Sequence, residues 1–78
     1  MPTKIRTGDH VQIRYENRTV DGECRLVSRN GKNMMLTFPA SSPLGDYFGM
    51  MPVLEDRGHL RDLIKRRPVE VTVRGLKS

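Results

Sequence analysis

The chain has no tryptophan, one cysteine and four aromatic residues among its 78 positions. A single cysteine, Cys24, excludes an internal disulfide framework and fits a reducing compartment. No apolar run is long enough to span a bilayer, and Met1-Pro2-Thr3-Lys4-Ile5-Arg6 leads into no apolar stretch of the secretory kind. The expectation is a soluble cytoplasmic protein with no membrane segment. Two histidines, His10 and His59, and one cysteine are too few and too scattered for a metal site of three or four ligands. No glycine-rich phosphate loop is present, and nothing in the spacing joins Cys24 to either histidine as nucleophile and base. The reading is a non-catalytic protein without metal or cofactor. At this length there is room for a single domain, 1–78, with one small core.

What is present is alternation. Val11, Ile13 and Tyr15 alternate with polar residues; so do Val20, Gly22, Cys24 and Leu26; Met34, Leu36 and Phe38 share a third face. Parity sets the turns: Asn17-Arg18 as a two-residue loop, then Arg29-Asn30-Gly31 as a three-residue loop with Gly31 left-handed. In that register Cys24 faces Leu36 and Leu26 faces Met34. Met50 to Leu54 forms a short strand in which Pro52 marks an edge or a bulge. Two readings compete for residues 55–67. Leu60, Leu63 and Ile64 have helical spacing, giving one short helix near 59–66; Asp56-Arg57-Gly58 is instead a turn if His59 to Leu63 returns as a strand. Val69, Val71 and Val73 define the last strand.

Five to six short antiparallel strands joined by tight turns predict an all-β fold, a small SH3-like or Sm-like barrel. Its expected core is Val11, Ile13, Tyr15, Val20, Cys24, Leu26, Leu36, Phe38, Val53, Leu60, Leu63, Val69, Val71 and Val73.

Charge is uneven. Residues 1–56 hold seven basic and seven acidic side chains, so all of the +5 lies in residues 57–78. Arg57, Arg61, Lys65, Arg66, Arg67 and Arg74 form a candidate phosphate-binding strip for DNA or RNA. The plainer alternative is a solvated basic face with no ligand. A second candidate is the 45–52 apolar loop, where Tyr47, Phe48, Met50 and Met51 either plug the barrel or serve a protein partner or homodimer.

Arg14-x-x-x-Arg18 and Ser28-x-x-Gly31 resemble fragments of the PilZ domain, a small barrel. The resemblance implies a cyclic-dinucleotide receptor in which the two arginines grip the dinucleotide. It covers residues 14–31 and departs where that family carries an acidic or amide residue and this chain has Leu26. Across most of its length the chain is similar to small β-rich bacterial proteins of unassigned function. That similarity rests on Ser28-x-Asn30-Gly31-Lys32, Gly49-Met50-Met51-Pro52-Val53-Leu54, Arg61-Asp62-Leu63-Ile64 and Pro68-Val69.

Overall fold

The structure is a computed structural model that describes residues 5–75. Six strands follow one another: β1 (His10–Tyr15), β2 (Arg18–Val27), β3 (Asn33–Thr37), β4 (Met50–Asp56), β5 (His59–Asp62) and β6 (Pro68–Gly75). Each pairs antiparallel with the next, and β6 pairs with β1 to close the barrel. The fold is all-β, consistent in size and form with an SH3-like or Sm-like barrel. No helix occurs among the described residues, and so none long and apolar enough to cross a membrane.

The alternation becomes the core directly. Val11, Ile13 and Tyr15 point inward from β1, Cys24 from β2, Met34 and Leu36 from β3, Val53 from β4 and Val69 from β6, all buried. Phe38 joins them just past β3, and Val20, Leu60, Val71 and Val73 are half-buried against them.

Several local details differ from the sequence reading. The β1–β2 turn is Glu16-Asn17, not Asn17-Arg18, because Tyr15 pairs with Arg18 and Ile13 with Val20. Both turn residues have positive φ, 47° and 68°, the twist that a two-residue hairpin needs. Cys24 does face Leu36, but a bulge at Arg25 then slips the register, so Leu26 pairs with Met35 and Val27 with Met34. The extra residue turns Leu26 out of the core to 61% exposure and brings Val27 in. Pro52 is not in a bulge, and it is at an edge only on its β5 side. It pairs with Met35 on β3 and lies just beyond the last β4–β5 pair, Val53 with Asp62, where its carbonyl accepts the Leu63 N–H at 3.0 Å. Residues 59–66 form no helix: β5 ends at Asp62, and Leu63 sits in the following turn, exposed rather than in the core.

Gly31 has φ +76° as expected, but the loop holds four residues, Arg29 to Lys32, rather than three, because the Ser28 N–H donates to the Asn33 carbonyl at 2.8 Å. That turn is closed by the Gly31 N–H donating to the Ser28 carbonyl at 2.9 Å and the Ser28 hydroxyl donating to Asn30 Oδ1 at 2.6 Å. Gly22 serves a different need. A Cβ there would run into the Thr37 carbonyl oxygen and stand 2.9 Å from Ile13 Cδ1, so its bareness lets β2 pass close over β3.

The antiparallel course sorts the connections onto two ends. The loop end holds the Glu16-Asn17 turn, the 38–49 loop and the 63–67 turn. The cleft end holds the Gly31 turn, the Arg57-Gly58 turn, the start of β1 and the finish of β6. A cleft of about 760 Å³ opens there between the β4–β5 hairpin and β6.

Gly22→Ala is expected to destabilise the barrel by about 1–3 kcal/mol through overpacking against backbone. Gly31→Ala, with open space around its Cβ, should cost only the positive-φ penalty of about 1 kcal/mol. Urea denaturation of the two variants checks the order; a Gly31 variant as damaged as the Gly22 variant would contradict it.

Candidate functional site: a basic turn held by a buried carboxylate

The loop end is organised by Asp62. It is the last residue of β5, and its side chain points inward at 0% exposure. Burying a carboxylate is costly unless its lone pairs are filled. Here the Tyr47 hydroxyl donates to Oδ2, the Lys65 N–H donates to Oδ2 at 2.8 Å, and the Arg67 N–H donates to Oδ1 at 2.6 Å. The backbone closes the same turn: Asp62 N–H to the Arg67 carbonyl and Arg66 N–H to the Asp62 carbonyl, both at 3.0 Å. Burial pushes the Asp62 pKa up, but the donors from Tyr47, Lys65 and Arg67 outweigh it and hold the carboxyl below its ordinary value.

Tyr15 and Tyr47 meet edge to face beside it, ring centroids 5.9 Å apart. The Tyr15 hydroxyl is buried and makes no hydrogen bond of good geometry among the described residues. Burial first, and then the neighbouring Asp62 charge, raise its pKa. Burial likewise raises that of Tyr47, with the bond to Asp62 adding to it. These groups are enclosed and shape the scaffold.

What they scaffold is the turn 63–67. Its backbone takes a left-handed conformation at Arg66, φ 61°. Lys65 forms an ion pair with Asp46 of the long loop, and Arg67 pairs with Glu16 at 2.7 Å. The bond from Lys65, and then its charge, lower the pKa of the exposed Asp46. Arg61 donates to the Arg66 carbonyl at 3.0 Å, and Arg66 donates through Nε to the Leu63 carbonyl at 3.2 Å. Each single bond fixes the arginine stem and leaves most of its donors for solvent or ligand.

Four of the six expected basic residues therefore converge: Arg61, Lys65, Arg66 and Arg67. Arg57 and Arg74 do not join them; they lie on the cleft end, in the β4–β5 turn and near the end of β6. Arg18, on the balanced half of the sequence, belongs to the loop end instead, where its Nη1 donates to the Pro43 carbonyl at 3.3 Å. Only the barrel brings it there.

The 45–52 residues split by direction. Tyr47 and Met51 are core, at 6% and 0% exposure, and cannot serve a partner as surface groups. Leu44 is buried with them, paired with Tyr47 through mutual backbone bonds of 3.0 and 2.9 Å. Phe48 and Met50 point outward, 69% and 54% exposed. The loop is thus a plug with two apolar side chains on its outer surface. Leu63 and Ile64 are exposed on the neighbouring turn.

The two PilZ-like fragments do not meet. Arg14 and Arg18 flank the β1–β2 turn at the loop end, whereas Ser28 to Gly31 close the turn at the cleft end, with the ten residues of β2 between. Cys24 is fully buried, its thiol pushed up by burial and then by Asp9 and Glu23. His10 and His59 are exposed, and no three potential metal ligands gather among the described residues. No known family, curated protein or solved structure matches the chain.

Asp62→Ala should strand three donors and cost about 3 kcal/mol or more, enough to unfold a domain of this size. Asp62→Asn keeps the shape and removes the charge. Because the folded carboxyl sits below its unfolded value of about 3.9, Asp62 contributes stability above that pH and loses it as pH falls through the folded pKa. Denaturant midpoints measured from roughly pH 6 to pH 2 should fall less steeply for Asp62→Asn than for the parent. Equal acid sensitivity would show that the carboxylate is not held as described.

Proposed function

We propose that this protein is a non-catalytic cytoplasmic module that binds nucleic acid through its loop end. The observation that supports this most is the Asp62-capped turn, which holds Arg61 and Arg66 outward with most of their donors free and Arg18 on the same end. Lys65 and Arg67 already have carboxylate partners, so exchanging those for phosphate gains little. The working contacts are Arg18, Arg61 and Arg66, a smaller set than the charge count suggests. The loop end has no helix to enter a groove, so phosphate contacts dominate and base preference is small.

Three phosphate contacts give a log–log salt slope of about −2 to −3 on duplex DNA, shallower on single strands. Changing Arg61 and Arg66 together to Gln should flatten it by about two units. Changing Arg25 and Arg57, exposed and away from the turn, should leave it unchanged. Fluorescence anisotropy across a salt series checks both. Equal losses would mean that only bulk charge is sensed, and no binding at low salt would end the proposal.

A second reading is favoured by the four exposed apolar side chains of the same end, Phe48, Met50, Leu63 and Ile64: a protein-interaction surface. Under it, Phe48→Ser and Ile64→Ser abolish capture of a protein partner without lowering the melting temperature, and leave the salt slope on DNA untouched.

A further inference from the structure

The barrel is closed unevenly. β6 pairs with β1 from Glu70 to Gly75, but with β5 only at Pro68 and Val69. From Glu70 onward its other edge faces the cleft without a partner strand among the described residues. Every second residue of an antiparallel strand directs its N–H and C=O to one side, so this edge presents backbone groups that seek a ladder. The cleft floor is also incomplete. Val71, Val73, Leu60 and Val27 face inward yet stay half-exposed, because among the described residues only Ile5 packs near them on the side where β5 is too short. An unpaired edge over an uncovered apolar floor is the geometry of strand addition.

The sequence of β6 indicates which strand. β6 bulges against β1 at Arg74, where His10 pairs with Gly75 and Val11 with Val73, and Arg74 stays exposed at the end of the regular run. Set antiparallel to itself with Thr72 on the two-fold axis, the stretch beyond the β5 pairs, Glu70-Val71-Thr72-Val73-Arg74, is self-complementary. On the inner face Val71 lies opposite Val73 of the second copy, extending the apolar floor over both clefts. On the outer face Glu70 lies opposite Arg74 of the second copy, twice by symmetry, and Thr72 meets Thr72. With the axis at Val71 instead, Glu70 meets Thr72 and Arg74 meets Pro68; with the axis at Val73, Arg74 meets Thr72. Neither shift pairs the charges. Within one copy Glu70 is already the cross-strand partner of Arg14 on β1, so the acid would stand between two arginines. Such an interface is isologous and closes on itself.

We propose that two copies of this chain associate through their β6 edges in that register, the cleft of each receiving β6 of the other. This places self-association on the cleft end, opposite the basic turn, and stands independently of the nucleic-acid reading.

Charge reversal tests it with the full chain. Glu70→Arg alone sets an introduced arginine against Arg74 across the axis; Arg74→Glu alone sets an introduced glutamate against Glu70. Each variant by itself should dimerise at least about tenfold more weakly than the parent, since like charges directly opposite are destabilising and each occurs twice. Mixed in equal amounts, the two variants can form a heterodimer in which the Glu70→Arg copy is basic at both positions, the Arg74→Glu copy is acidic at both, and both facing pairs have opposite sign. The dimer should therefore return in the mixture. Sedimentation equilibrium reads all three samples. A parent that stays monomeric to millimolar concentration overturns the proposal, as does a parent dimer indifferent to either reversal, or a mixture no better than its components. A second measurement needs no substitution. Hydrogen exchange at the amides of residues 70–74 should slow as parent concentration rises; exchange independent of concentration would overturn the β6 assignment.

Discussion

A carboxylate buried where water cannot reach it constrains the whole loop end of this barrel. Asp62 is charged, enclosed and satisfied by donors drawn from two places: the hydroxyl of Tyr47 in the long β3–β4 loop and two amides of the β5–β6 turn. Those segments must therefore arrive together. The turn takes its tight path because its N–H groups have a fixed target, and the long loop folds inward because Tyr47 must reach the same atom. With Tyr47 come Leu44 and Met51, which complete the core. The exposed arginines are held by this buried arrangement and depend on it for their placing.

The two ends of the molecule have different physical characters. At the loop end, polar bonds and ion pairs hold irregular backbone in place and the outer surface is basic. At the cleft end, β5 stops short of β6, leaving half-covered valines and an edge unpaired among the described residues. Natural sheets seldom leave such edges bare, since unpaired backbone groups invite association. The division follows from strand length. β5 has four residues and β6 has eight, so only one end of their seam can be closed.

Alternation carried the reading of the fold a long way because inside and outside swap at every residue of a strand. Val11, Ile13, Tyr15, Cys24, Leu36, Val53 and Val69 were legible from that rule alone. Its failure at Leu26 has a single cause: the bulge at Arg25 inserts one residue, and everything beyond it changes face. A run of residues carries no mark of such a slip, which arises from the bend that β2 makes to follow both neighbours. Leu63 differs for another reason. It continues an apolar pattern, but the bonds to Asp62 end the strand one residue earlier.

Composition and periodicity alone determined that this is a small all-β domain, that its net charge lies in the last third, and that Gly31 takes a left-handed turn. These follow from local rules acting within a few residues. Tertiary structure decided which charges keep company. Arg57 and Arg74, close in sequence to the basic turn, were carried to the opposite end, while Arg18, far away in sequence, was brought to it. It also decided that Tyr47 and Met51 face inward while Phe48 and Met50 face out. Asp62, an acid amid arginines that reads like any surface residue, became the centre of the loop end. Convergence of this kind depends on how six strands close around one core, and no window of sequence shorter than the barrel contains that information.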